Sequence, residues 1–230
     1  MSITVYELAG ADGRVRFSPH CWKTVWSLAH KGLDFERVPV PFTGIAELGF
    51  KTLPVIRDGD RTVADSFDIA AYLDDRYADR PSLFGGEGGQ GAARFIERWT
   101  ILTVHSILGR ALLPDINSCL APQDQAYFRR TREARFGGTI EAVSEAGLKL
   151  LPGLHDALAP LRITLETQPF IGGGRPLFCD YIVAGAFQWA RVVSAREILP
   201  VGDPVEVWFA RMLDLYEGLG RKAATAAAAA

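Results

Sequence analysis

Two different periods of apolar and polar residues run along the chain. Up to about residue 80, short runs rich in β-branched and aromatic residues predict four strands, at 2–8, 35–40, 53–57 and 61–64. Apolar residues recur at helical spacing from Pro19 until Gly32 and again after Ser66, which we expect to be the N-cap of the second helix. The order is therefore β-α-β, an irregular stretch over 41–52, then β-β-α.

The rest of the chain has helical periodicity only. We predict one helix to about Leu113, others over 124–148 and 152–167, an apolar helix over 181–193 and an amphipathic helix from Val205 to Tyr216. Pro81 and several glycines mark a linker. The expected organisation is a first domain over 1–80, a linker over 81–90, an all-helical domain over 91–222 and a low-complexity tail over 223–230. The fold class is α+β.

Composition narrows the functions to be considered. Hydrophobic residues make up 48% of the chain, charged residues 23%, and the net charge is -2, so no basic stripe suited to nucleic acid is evident. We interpret the basic stretch Arg129, Arg130, Arg132 and Arg135 as a solvated helix face. No apolar run reaches the roughly 20 residues that span a membrane. Three scattered cysteines predict neither a disulfide framework nor a metal site, and we expect a cytoplasmic protein.

Ser18-Pro19-His20-Cys21 stands where the first strand gives way to the first helix. A helix N-terminus carries unpaired N–H groups and a partial positive charge, which stabilise a thiolate. A hydroxyl at Ser18 can also donate a hydrogen bond to that thiolate. The alternative is that Ser18 only caps the helix, with Pro19 at its first position. Cys21 is a second candidate nucleophile, but it lies one turn further into the helix.

Two further pairs are candidates for ligand binding. Pro54 begins a predicted strand, a position that is rare unless the strand lies at an edge or the peptide bond is special. Asp65-Ser66 begins the next helix, where the Ser66 hydroxyl and backbone N–H can bind a carboxylate. Either pair alone is common, but together, about a dozen residues apart, they are fairly specific.

With these motifs, the chain resembles the cytosolic glutathione transferase superfamily, whose first half has a thioredoxin-like fold. The resemblance implies glutathione as co-substrate and Ser18 as the catalytic residue that activates its thiolate. It implies a cis bond before Pro54, pairing of the Leu53 backbone with the tripeptide, and roles for Lys51, Asp65 and Ser66 at its charged ends. The acceptor pocket is expected between the domains, with the candidates Trp99, Leu102, Thr103 and Arg110.

The stretches SPHCWKTVWSLAHKG, PFTGI, DSFDIAAYLDDRYADRP and LDLYEGLGR resemble the bacterial lignin β-etherase branch. This resemblance implies attack of the thiolate on a small hydrophobic, aromatic or aryl-ether electrophile by a homodimer. Three alternatives stay open: a glutathione-dependent cis-trans isomerase of the zeta type, a non-catalytic glutathione-binding protein, and a thiol-disulfide reductase that uses Cys21.

The start of the apolar helix departs from the family pattern. The family generally has Ser, Thr or Asn three residues before Asp180, whereas this chain has Leu177, which cannot cap a helix. We expect Asp180 to reach back to backbone donors instead.

Overall fold

The computed structural model describes residues 2–226, so the predicted tail lies outside the described residues from 227 onward. Four strands and two helices form the first domain, in the predicted order β-α-β-β-β-α. They are β1 (Ile3–Leu8), α1 (Pro19–His30), β2 (Phe35–Val40), β3 (Val55–Asp58), β4 (Arg61–Ala64) and α2 (Ser66–Arg76).

The sheet has the strand order β2-β1-β3-β4, with β1 parallel to β2 and antiparallel to β3. In this register Val55, the first residue of β3, lies opposite Tyr6 of β1 and Ala64 of β4. The end of β1, the start of β3 and the end of β4 therefore meet at one edge. Topology thus gathers the segments that follow or precede these strands, including Leu53-Pro54 and Asp65-Ser66.

The second domain consists of helices, and the predicted α+β class is confirmed. The first helix, α3 (Glu87–Thr100), continues through a π-helical turn (Ile101–His105) into α4 (Ser106–Ala111). The others are α5 (Leu113–Ser118), α6 (Pro122–Phe136), α7 (Ile140–Leu148), α8 (Leu151–Ala157), α9 (Ala159–Thr167), α10 (Phe178–Val193) and α11 (Pro204–Gly218).

Several predicted boundaries differ from the observed ones. The helix predicted over 124–148 is two helices, because Gly137 adopts the left-handed conformation (φ 73°) and ends α6. The helix predicted over 152–167 is also two, since Pro160 has no N–H to continue the hydrogen bonds of α8. α3 begins at Glu87, inside the stretch predicted as linker.

Asp180 organises the start of α10, as expected from the sequence. Its carboxylate accepts hydrogen bonds from the N–H groups of Leu177 (3.0 Å), Ile171 (2.7 Å) and Gly172 (2.9 Å). It also accepts one from the Trp208 indole at 3.0 Å. This buried side chain replaces the missing cap and fixes the preceding loop and α11 to the same helix.

Helix α1 joins the two domains, because one face packs on the sheet and the other on α10. At Gly185 of α10, an added Cβ would lie 2.5 Å from the carbonyl oxygen of Pro19, at the N-terminus of α1. Lys23 of α1 forms a buried ion pair with Glu97 of α3, with 3.0 Å between Nζ and Oε1. The start of α1 is therefore fixed against the helical domain.

We predict that Gly185→Ala lowers the free energy of unfolding by roughly 1–3 kcal/mol, since backbone must move to admit the methyl group. Urea denaturation followed by circular dichroism measures the change. Gly153→Ala in α8 is the matched control: no atom lies within 4 Å of its added Cβ, so helix propensity should leave stability equal or slightly higher. Equal stability of the two variants would contradict the close contact of α1 with α10.

Candidate active site

Ser18 is the N-cap of α1 and lines a cleft between the two domains. Its Oγ accepts a hydrogen bond from the N–H of Cys21 at 3.3 Å, and 6% of the residue is exposed. Capping uses the oxygen only as an acceptor, so the hydroxyl proton is available for donation into the cleft. Capping and thiolate activation, weighed as alternatives from the sequence, are therefore compatible in one side chain.

Cys21 has the environment of a packing residue. Only 1% of it is exposed, and it lies in a cluster with Val40, Leu53 and Val55. Burial raises the pKa of the Cys21 thiol to about 12, so almost no thiolate is present at neutral pH. This environment argues against the thiol-disulfide reductase.

The Leu53-Pro54 bond is cis, as the resemblance implies. Leu53 lies before β3, where the sheet ladder has not begun, and within residues 2–226 its N–H has no hydrogen-bond partner. Leu53 lines the same cleft as Ser18. The edge therefore presents a free backbone donor next to the N-terminus of α1, which is suited to pairing with an extended peptide.

Asp65, and not Ser66 as predicted, is the N-cap of α2. Its Oδ1 accepts hydrogen bonds from the N–H groups of Phe67 (2.8 Å) and Asp68 (3.3 Å). Asp65 adopts φ 71°, a region that is unfavourable for a residue with a side chain and that is common at ligand sites. This conformation turns the chain so that Ser66 opens the helix.

Ser66 is 2% exposed, and its hydroxyl has no hydrogen-bond partner among the described residues. A buried polar group without a partner costs free energy and therefore calls for an explanation. The hydroxyl sits at a helix N-terminus, where anions bind. Lys51 is exposed on the loop before β3. Of the predicted glutathione-binding residues, Leu53 lines the cleft, whereas Lys51, Pro54, Asp65 and Ser66 do not.

The cleft has a volume of about 730 Å³. Ser18 and Leu53 belong to its first-domain wall, and its helical wall comes from the π-helical turn, α4, α5, α6 and α10. Five aromatic side chains line it besides the two histidines: Phe17, Phe42, Phe128, Phe136 and Trp189. Its charged lining residues are Arg110, Arg132 and Arg135, and no described aspartate or glutamate lines it.

The acceptor-pocket candidates are only partly placed in this cleft. Leu102 and Arg110 line it, whereas Trp99 and Thr103 do not. In an uninterrupted α-helix, Trp99 and Thr103 would share a face with Arg110, eleven and seven residues later. The π-helical turn between them adds about one residue of rotation and breaks that alignment. Trp99 packs against the hydrophobic core instead.

The interpretation of the basic stretch as a solvated face is incomplete, because Arg130 and Arg135 are exposed but the same helix also forms part of the cleft wall. Arg129 does lie at the surface, paired with Glu133 (2.9 Å) and Glu141 (2.6 Å). Arg132 and Arg135, however, line the cleft. The signal for this was the sequence FRRTREARF, in which Phe128, Arg132 and Phe136 recur every four residues and so share one helix face.

Two histidines form part of the cleft floor. The rings of His20 and His105 are 5.4 Å apart, and that of His105 is 5.9 Å from Trp189. Burial, with the charge of Lys23, lowers the pKa of His105 to about 3 and that of His20 well below its usual value. Both are neutral at neutral pH, and His105 is not suited to be a general base.

Other features define what the described residues can do chemically. The three cysteines are free, and residues 2–226 contain no cluster of side chains that would hold a metal ion. Within the same residues, none of the helices has both the length and the apolar character for crossing a bilayer.

Two family models match this chain. The N-terminal domain of glutathione S-transferases matches residues 17–76, and their C-terminal domain matches residues 92–201. The chain belongs to the glutathione S-transferase superfamily.

Solved structures are similar over almost the whole chain. A glutathione S-transferase of Ceriporiopsis subvermispora in complex with glutathione is 25% identical with a TM-score of 0.80, over 94% of this chain and 97% of that one. A glutathione transferase from Phanerochaete chrysosporium is 28% identical with a TM-score of 0.77, over 96% and 94%. A curated relative, a glutathione S-transferase-like protein of Aspergillus flavus, is 27% identical over 60% of this chain. That match spans only 55% of the relative's length.

We predict that His105→Phe weakens the dependence of stability on acid pH. A histidine whose pKa is lowered on folding binds fewer protons than in the unfolded chain, so stability falls as pH drops below about 6.5. Each such histidine contributes about 1.4 kcal/mol per pH unit. The variant should lose this contribution between about pH 6 and 4, measured by urea denaturation. Because phenylalanine keeps the ring contacts, the unchanged protein and the variant should show the same dependence of stability on pH above about pH 7. An unchanged acid slope would contradict the neutral, buried His105.

Proposed function

We propose that this protein is a glutathione transferase, in which the edge formed by Leu53, Pro54 and Ser66 holds glutathione and Ser18 activates its sulfur. The observation that carries this proposal is the buried Ser66 hydroxyl that has no partner within the described chain. It lies just beyond β4, and the unpaired N–H of Leu53 lies just before β3. The complex of the Ceriporiopsis relative with glutathione supports the same ligand.

The charges and donors at this edge match the parts of the tripeptide. The γ-glutamyl carboxylate accepts from the hydroxyl and the backbone N–H of Ser66 at the start of α2, while the Asp65 carboxylate faces the amino group. The cysteinyl backbone pairs with the N–H and C=O of Leu53, as an added short strand does. Lys51 lies two residues before Leu53 and is the candidate cation for the glycine carboxylate.

The sulfur is then placed at the N-terminus of α1. The partial positive charge of the helix and a hydrogen bond from Ser18 both favour thiolate over thiol, which lowers the pKa of the bound sulfur. The thiolate attacks an electrophilic carbon, a C–S bond forms, and the leaving group departs with the electron pair of the broken bond. No metal or base is required once the thiolate has formed.

The finer part of the proposal concerns the acceptor. Five aromatic side chains in the cleft favour an aromatic electrophile, including the aryl ethers of the β-etherase branch. A zeta-type isomerase would regenerate glutathione, whereas a transferase consumes it. The amount of glutathione consumed per product formed therefore distinguishes them. A non-catalytic protein would bind glutathione without transferring it. The cytoplasmic, homodimeric state implied by the resemblance belongs to the same proposal.

We predict that Ser18→Ala raises the pKa of enzyme-bound glutathione by about 1–2 units and lowers kcat, because one hydrogen bond to the thiolate is lost. Titration of the thiolate absorbance in the ultraviolet measures the pKa. Cys21→Ala is the matched control, and it should leave that pKa unchanged. A bound-thiol pKa that is the same in Ser18→Ala would remove Ser18 from this role, even if helix capping is weakened.

We predict that Ser66→Ala weakens glutathione binding about tenfold without destabilising the unliganded protein. The hydroxyl has no partner in the described chain, so its removal costs no internal hydrogen bond, whereas the complex loses one to a charged group. Calorimetric titration gives the affinity, and urea denaturation gives the stability. If the unliganded variant were destabilised and its affinity unchanged, the hydroxyl would be structural.

A further inference from the structure

We infer that the acceptor substrate carries an anionic group on its aromatic part, and that Arg110, Arg132 and Arg135 bind this group. This inference deepens the proposed function, because it assumes that the cleft beside Ser18 holds the acceptor. The expected acceptor is an aromatic acid or another aromatic compound with an anionic substituent.

The three arginines come from two helices and meet in one cleft. Arg110 lies in the last turn of α4, and Arg132 and Arg135 lie three residues apart on α6. Each guanidinium lies over an aromatic ring. Arg132 is 4.7 Å from the centre of Phe128, while Arg110 and Arg135 are 5.2 and 5.4 Å from the centre of Phe136. Stacking on rings fixes the planes and leaves N–H groups at the edges for a ligand.

None of these arginines has a carboxylate partner within 4.0 Å among residues 2–226. Their hydrogen bonds within that part of the chain go to neutral groups: Arg110 donates to the carbonyl of Ser106, and Arg132 donates to the hydroxyl of Thr131 at 3.0 Å. Several donors of each guanidinium are therefore available.

The acidic residues of α6 are committed elsewhere. Asp124 accepts hydrogen bonds from the N–H groups of Phe42 (2.7 Å) and Thr43 (3.0 Å), and Glu133 pairs with Arg129 at the surface. Burial and the positive charge of Arg135 lower the pKa of Arg132, as expected for neighbouring cations without a counter-ion. An anion between them would relieve this repulsion.

The same charges suit the chemistry of transfer. In aromatic substitution the thiolate forms a C–S bond, negative charge spreads over the ring, and the leaving group departs as an anion. A substituent held by the arginines orients the ring so that its electrophilic carbon faces the sulfur near Ser18. The cleft then selects acceptors by charge as well as by aromatic character.

The experiment compares two acceptors that differ in one carboxylate: 2-chloro-1,3-dinitrobenzene and 4-chloro-3,5-dinitrobenzoate. We expect the intact protein to show kcat/KM for the benzoate at least about tenfold above that for the neutral compound. Arg132→Gln should lower the value for the benzoate about tenfold and that for the neutral compound less than about threefold. Arg132→Lys should recover part of the preference, because charge returns without the planar fork.

Arg130→Gln is the matched control on the same helix. Arg130 is exposed and lies over Tyr127, at 5.7 Å from its ring centre, outside the cleft. Arg130→Gln should leave kcat/KM unchanged for both acceptors. Equal kcat/KM for the two acceptors in the intact protein, or a preference that persists in Arg132→Gln, would overturn the inference.

A binding measurement separates this inference from the proposed function. Calorimetric titration with unreactive 3,5-dinitrobenzoate and 1,3-dinitrobenzene tests the anion site without any transfer. Tighter binding of the benzoate, lost in Arg132→Gln, supports the site even if no conjugate forms. Absence of conjugation with either chlorinated acceptor would count against the proposed function, and equal affinity for the unreactive pair would count against the anion site.

Discussion

The position of α1 is the constraint on which the rest of this structure depends. Its N-terminus must open into the cleft while its sides are packed against the sheet and α10. Gly185 permits the contact with Pro19, and the buried pair of Lys23 and Glu97 fixes α1 to α3. A buried ion pair adds little net stability, but it penalises any arrangement that separates its members. The two domains therefore hold Ser18 at a defined place in the cleft.

The candidate site is made of groups that the fold leaves unsatisfied. The Ser66 hydroxyl and the Leu53 N–H lack partners within residues 2–226, and Asp65 holds a left-handed conformation at a cost of about 1–3 kcal/mol. In the same described range, the arginines of the cleft lack counter-ions. Leu53 and Ser66 flank β3 and β4, and Leu53 lines the same cleft as the arginines. Asp180 in the helical domain, by contrast, has all its carboxylate capacity engaged. Such a contrast is typical of a site prepared for a polar ligand.

Local chemistry explains which elements could be predicted from the chain. The limits of α1 and β2 follow from Ser18-Pro19, from Gly32 and from the short segment Phe35–Val40, all of which act on their own neighbours. The break after α6 did not follow from apolar periodicity, because α6 and α7 both continue the pattern and only the left-handed Gly137 separates them. The π-helical turn left no recognisable periodic signal in the sequence. The sequence therefore predicted that Trp99 and Thr103 share a helix face with Arg110, and the turn breaks that alignment.

By itself, the sequence determined the order of elements, the helix N-termini at Ser18 and Asp65-Ser66, and the cis proline implied by family resemblance. These features depend on neighbouring residues or on shared motifs. The cap of α2 by Asp65 is also local, but the sequence did not distinguish it from a cap by Ser66. Tertiary structure alone decided that the buried Ser66 hydroxyl has no partner within residues 2–226, and that Arg132 and Arg135 line the cleft while Arg129 does not. Pairing and burial depend on residues far apart in the chain. Asp124, for example, is held by Phe42 and Thr43, about eighty residues earlier, and is thereby unavailable to the arginines of its own helix.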